Sequence, residues 1–332
     1  MQRKCAKLIS LVLTASVAFT LAGCFDASDF SLESTRDYNT VPTAPSSSET
    51  AYARSSFDFL KNPYFSLLSE TEMDAYSFIY EGLMKGSDKI DCPIKLDSDQ
   101  LSNAIDAVLN DHPEIFWVDN NYSYSYDPAD GNIKEITFAF YDFADTPEKL
   151  QAAKAELESA AASVISEANA YQTVVERELY IHDYICENTV YDEYAPYHQS
   201  AYSTLVLHRS VCAGYARSFQ YLMQRTGATC YYVTGSTERA VAGSDDGGSH
   251  SWNMVLINGE FYNVDCLWDD TASDSYGSPI YPFFNIPDSE MVNHKRIQMA
   301  VHLPACTATE FRYSNQFGPT IEADSIVFAD DE

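Results

Sequence analysis

The chain has 332 residues and a formal net charge of −29, with 45% hydrophobic and 21% charged residues. A surface this acidic repels nucleic acid and anionic lipid headgroups; it suits cationic partners or simple solubility, so no nucleic-acid role is expected. Eight cysteines spread over this length do not make a disulfide scaffold.

Met1 to Lys7 carries Arg3, Lys4 and Lys7 with no acid, and Leu8 to Ala22 is an apolar run. The run is too short and too early for a stable membrane span and has the build of an export leader. It ends Leu21-Ala22-Gly23-Cys24, which resembles the lipobox of bacterial lipoproteins. The expectation is a signal peptide over residues 1–23, cleavage before Cys24 and lipidation of that cysteine. The protein would then be extracytoplasmic, held on the cell membrane as a lipoprotein. Loss of the leader removes three positive charges and no negative one, leaving about −32. Residues 24–56 are rich in Ser, Thr, Asp, Pro and Ala, the composition of a flexible linker.

Residues 57–145 read as a small α+β domain. Glu70 to Met84 places Met73, Tyr76, Ile79, Tyr80 and Leu83 on one helical face, and a second helix is expected near Asp99 to Asn110. Asp111 to Val118 then turns into a strand. Asn121 to Asp127 and Ile133 to Tyr141 read as a hairpin around Asp130-Gly131. That acidic turn lacks the spaced ligands and bidentate Glu of a calcium loop. The Tyr and Trp residues of this unit suit a substrate groove or half-buried strand packing equally well.

Residues 146–332 read as the second domain. Thr146 caps a long Ala-rich helix with Pro147 at its first position, and a further helix runs from Thr173 to about Asn188. His182 on that helix reads as a satisfied structural histidine. Tyr215, Phe219, Leu222 and Met223 fall at i, i+4, i+7 and i+8, with Ser210 as candidate N-cap and Gly227 as stop. Cys212 then lies in the first turn, where the positive end of the helix dipole stabilises a thiolate and backbone N–H groups offer themselves to an oxyanion. Ala228 to Gly235 is a strand by composition. Ser236 to Ser249, with Gly243, Asp245, Asp246, Gly247 and Gly248, is expected to form a mobile rim or lid next to His250.

The most informative register follows. His250 to Ile257 and Glu260 to Asp265 flank Asn258-Gly259, the two-residue turn of a hairpin. That turn pairs Ile257 with Glu260 and, counting back, Trp252 with Asp265. His250 points to the same face as Trp252, so His250 and Asp265 become diagonal neighbours with Cα atoms roughly 7–8 Å apart. Cys266, next to Asp265, would point to the opposite strand face. This register argues against a zinc site built from Cys212, His250, Asp265 and Cys266. No C-x-x-C or H-E-x-x-H occurs either, so no metal and no cofactor is expected.

Val211-Cys212-Ala213-Gly214-Tyr215-Ala216, His250-Ser251-Trp252-Asn253 and Gly259 to Asp269 together resemble the transglutaminase-like core of the papain-like cysteine enzymes. Ile181 to Tyr184, Asn188 to Asp192 and Gln199 to Tyr202 fit bacterial members of that superfamily, so the resemblance covers about Tyr180 to Asp270. It implies an α+β fold in which a helix carrying the nucleophile packs on an antiparallel sheet. It implies Cys212 as nucleophile, His250 as general base and acid and Asp265 as orienter. The Cys212 backbone N–H is the safest oxyanion donor, with Gln199 and Tyr202 as side-chain candidates.

A thiolate with a histidine base performs acyl transfer. The expected function is hydrolysis of a peptide or protein amide, cell-wall peptides included, because water needs no dedicated second site. Protein crosslinking onto an amine is the alternative within the same chemistry. A non-catalytic surface binding module is the alternative outside it.

Overall fold

The computed structural model describes residues 57–238 and 248–326, together with the backbone of Leu13–Val17. Of the expected leader, only that segment is described; it forms strand β1 (Leu13–Val17). Cys24, the linker over 24–56 and most of the glycine-rich stretch after Glu238, including Gly243, Asp245, Asp246 and Gly247, lie outside the described residues.

The N-terminal part holds α1 (Pro63–Ser66), α2 (Glu70–Met84), β2 (Lys89–Asp91), α3 (Ser98–Asp111), β3 (Val118–Tyr126) and β4 (Ile133–Phe140). Its strands form an antiparallel sheet in the order β1-β3-β4-β2. Both long helices start on capping boxes, Ser69 with Glu72 and Asp97 with Gln100. Asp111, at the end of α3, accepts from the Tyr64 and Phe65 amides at 3.1 and 2.9 Å and so caps the short α1 from a distance.

The remainder begins with α4 (Pro147–Ala168), capped by Thr146, and α5 (Val174–Asn188), capped by Thr173. A short parallel pair, β5 (Val190–Tyr191) and β6 (Arg209–Ser210), brackets α6 (Ala201–Leu205). Then come α7 (Cys212–Arg225), β7 (Cys230–Thr237), β8 (Ser249–Ile257), β9 (Glu260–Val264), α8 (Cys266–Tyr276), β10 (Phe284–Ile286), β11 (His294–Arg296) and α9 (Tyr313–Gln316). The second sheet is antiparallel in the order β10-β9-β8-β7-β11. The fold is α+β, with α7 packed on this sheet.

The Asn258-Gly259 turn forms with both residues at positive φ, +52° and +91°. It pairs Ile257 with Glu260 and Asn253 with Val264, in the expected register. Two local expectations are corrected. Val211, in extended conformation, is the N-cap of α7, and Ser210 uses its hydroxyl elsewhere. The strand also stops at Val264: Asp265 is the N-cap of α8, and Cys266 is that helix's first residue. Three residues on, the Trp268 amide needs an acceptor, and the Asp265 carboxylate supplies it, ending the ladder there.

The units expected at 57–145 and 146–332 share one continuous buried cluster. The Tyr64 hydroxyl donates to the Tyr232 carbonyl at 2.7 Å, and Gln220 Nε2 donates to the Asn110 carbonyl at 2.9 Å. Phe116 stacks on Tyr202.

Candidate active site

Cys212 opens α7 and is 3% exposed. The segment before it is pinned: Ser210 Oγ and the Val211 amide both donate to the His198 carbonyl, at 2.5 and 3.1 Å. Gly214 sits two residues inside the helix because nothing larger fits. A Cβ there would stand 1.7 Å from Ser210 Oγ and 2.8 Å from the His198 carbonyl oxygen. The same pinned loop carries Gln199, one residue past His198. Tyr202 does not present its hydroxyl to the site: it donates to Glu156 on α4, and its ring stacks on Phe143 and Phe116.

His250 lies on β8 opposite Gly235 of β7. Its Nε2 donates to Asp265 Oδ2 at 2.5 Å, with the two residues 3% and 1% exposed. Gly235 has no side chain because the Trp252 ring lies across it, 2.1 Å from where a Cβ would be. Asn253, in the same short motif, donates from Nδ2 to the carbonyls of Ala216 on α7 and Tyr231 on β7, at 2.9 and 3.1 Å. It fastens the cysteine helix to the histidine strand. Beside them, Tyr232 donates to or accepts from Ser251 at 2.6 Å under the Arg217 guanidinium. Burial pushes the Tyr232 phenol up, and Arg217 and Ser251 oppose this.

Asp265 is shared. Oδ1 accepts from the Trp268 amide at 3.1 Å; Oδ2 accepts from His250 and also from His294 Nε2, at 3.0 Å. Burial opposes ionisation of Asp265, but the charges and hydrogen bonds of His250, then those of His294, outweigh it and hold the carboxyl below the usual carboxylate range. Burial makes His250 less basic than an ordinary imidazole, against the pull of Asp265 and with the repulsion of His294. The neutral, proton-accepting form is thereby favoured. The ligating atoms of His250, Asp265 and His294 gather within 4.8 Å, as in a metal donor set. Hydrogen bonds already account for each of them.

Sequence reasoning did not find His294. It stands on β11, an edge strand of three residues, too short to show any alternation. The role of Asn253 was missed for another reason: its partners are backbone carbonyls of two other elements.

Behind the site, His182 on α5 places Nε2 3.0 Å from Asp269 Oδ2 and Nδ1 3.2 Å from Asp183 Oδ1, and is buried. Asp269 Oδ1 accepts from the Phe283 amide at 2.7 Å. This pair joins α5, α8 and the approach to β10, which is the structural role expected of His182. Cys266 also turns this way: its carbonyl accepts from Cys186 Sγ at 3.3 Å, and burial pushes its thiol up to about 11.

Residues 159–266 match the family model of the transglutaminase-like superfamily. No curated protein matches the chain. Among solved structures, a TGase aligns with 14% identity and a TM-score of 0.31 over 54% of this chain and 50% of its own. A Cytophaga hutchinsonii protein described as a candidate cysteine protease aligns with 15% identity and a TM-score of 0.31, over 56% of this chain and 61% of its own. The chain thus spans about half to three-fifths of either structure's length. The matched segment, a transglutaminase-like domain, runs from the middle of α4 to the first residue of α8 and takes in Cys212, His250 and Asp265.

Proposed function

We propose that this protein is a cysteine enzyme that transfers the acyl group of a peptide or protein amide through Cys212, His250 and Asp265. One observation carries the reading: a buried His250–Asp265 hydrogen bond of 2.5 Å stands on the strand to which Asn253 fastens the Cys212 helix. His250 commits Nε2 to Asp265, so Nδ1 serves the thiol. His250 takes the thiol proton as Sγ attacks the amide carbonyl. Amides at the start of α7, with Gln199 as side-chain candidate, face the oxyanion. The tetrahedral intermediate collapses to a thioester as His250 protonates the leaving amine. Water, deprotonated by His250, then releases the acid and restores the thiol. Hydrolysis is favoured over transfer to an amine because water needs no second binding site.

The lipobox-like Leu21 to Cys24 supports an exported, lipid-anchored enzyme with cell-surface proteins and cell-wall peptides within reach. Labelled palmitate should enter the expressed protein and be absent from Cys24→Ala. For the chemistry, a thiol-reactive amide probe should label Cys212 in the folded protein. Absence of that labelling would overturn the enzyme reading in favour of a binding module. A peptide library incubated with a primary amine and read by mass separates the acceptors. Cleaved or deamidated products support hydrolysis, whereas predominant amine adducts overturn it in favour of crosslinking.

A further inference from the structure

His294 lies outside the segment that matches the family model, yet it touches the same carboxylate oxygen as His250. Its side chain is fully buried. Trp268, Trp252 and Phe283 surround the ring, with centroids 4.3, 5.2 and 5.6 Å away, and the His250 ring is at 5.1 Å. Nδ1 lies 2.8 Å from the Val292 carbonyl, and Nε2 lies 3.0 Å from Asp265 Oδ2. Both partners are acceptors. A neutral imidazole has one N–H and would turn a lone pair on one of them, so this geometry is satisfied only when both nitrogens carry hydrogen.

We propose that His294 is a positioning residue of the site: held by Val292 through Nδ1–H, it clamps Asp265 Oδ2 through Nε2–H and fixes the carboxylate that orients His250. This rests on the triad reading above. With both nitrogens carrying hydrogen, the clamp also sets a charge beside His250 that makes His250 less basic. Asp265 then divides its negative charge between two rings, and His250 is less able to hold a second proton than it would be with the carboxylate to itself. The ionisable groups facing His294 are Asp265 at the start of α8 and His250 on β8. Asp288 and Arg296 line the pocket of about 350 Å³ on its other flank, paired with each other at 2.6 Å. That pair is internally neutral, so Asp265 is the net charge that His294 meets.

Two variants of the full-length chain test this. His294→Gln keeps an amide donor within reach of Asp265 but brings no charge. His294→Phe keeps a ring and removes both hydrogen bonds. The first readout is the titration of the His250 ring followed by NMR, which needs no substrate. The second is the rate of Cys212 alkylation by iodoacetamide, quantified at that peptide by mass. The His250 midpoint should rise in His294→Gln. Alkylation should fall about tenfold in His294→Phe, a fraction of what a positioned general base contributes, and Gln should restore most of it. An unchanged His250 midpoint in folded His294→Gln overturns the proposal, and this arm decides even where the Phe variant fails to fold. Equal alkylation of wild type and folded His294→Phe also overturns it. So does a change in the His294 and His250 signals on treatment with EDTA, since a metal ion would then join the rings to Asp265. Failure of the triad reading is a different result: no preferential alkylation of Cys212 in the wild type, with the histidine titrations still readable.

Discussion

Two oxygens of Asp265 serve three donors, the Trp268 amide, His250 and His294. Asp265→Asn leaves one acceptor oxygen for all three and sets an amide N–H against at least one N–H. The expected result is a loss of about 10²–10⁴ in Cys212 acylation, with a destabilisation of roughly 3 kcal/mol from breaking a buried charge pair. Labelling kinetics and urea unfolding read the two effects separately. The same residue sets a pH response. Asp265 is held below its ordinary range by the two histidines against the upward push of burial, so the stability it contributes is present above the unfolded value and is lost as pH falls through the folded one. His250 is depressed chiefly by burial, so below about pH 6.5 the unfolded chain takes up a proton that the folded site resists. Both act in one direction. The contribution of this site to stability should fall on acidification, so the unfolding midpoint of His250→Phe should gain on that of the wild type as pH falls from 7 to 5.

Among the elements, the decisive contact is between α7 and β8. Asn253→Ala removes the donor for the Ala216 and Tyr231 carbonyls. Two buried acceptors then lose a partner, a cost of roughly 1–3 kcal/mol. Because Ala216 is one turn beyond Cys212, labelling of the cysteine should slow along with the drop in the urea midpoint. Unchanged labelling would show that α7 keeps its place without the fastening. Gly214→Ala should be worse, since its methyl group would meet Ser210 Oγ and the His198 carbonyl, neither of which is a flexible side-chain end free to move away. These elements also show how far the amino-acid sequence was readable. The α7 helix, the β8–β9 hairpin and the His250–Asp265 neighbourhood follow from period and turn chemistry, because Asn258-Gly259 fixes a register that propagates eight residues back along one strand. The start of α8 was hidden because Asp265 is compatible with both a strand end and an N-cap, and only the needs of the Trp268 amide decide. His294 was hidden because β11 is placed by tertiary pairing, with His294 opposite Thr237, and not by any local preference.

Across the whole molecule, buried acids work against the pH response of the site. Glu178 on α5 is fully buried and accepts from Asn285 Nδ2 on β10 at 2.8 Å, while its Oε1 has no hydrogen-bond partner among the described residues. Burial raises this carboxyl to about 8, against the weaker downward pulls of Asn285 and His182. The folded protein therefore keeps a proton that the unfolded chain releases above about pH 4.5. The sign is opposite to that of Asp265: stability is full below the unfolded value, declines as pH rises and levels off once the folded value is passed. At pH 7 the loss is roughly 3 kcal/mol at about 1.4 kcal/mol per unit. Glu178→Gln keeps an acceptor for Asn285 and removes the titration. Its unfolding free energy relative to wild type should therefore climb steadily from pH 5 to pH 8, with the curves closest at the acid end. Parallel curves over that range would mean that Glu178 reaches a counter-charge or water in the folded protein and is ionised there. With Asp265 and His250 weakening the fold in acid and Glu178 weakening it in alkali, the wild type should be most stable at mildly acidic pH, and removing Glu178 should move that maximum upward.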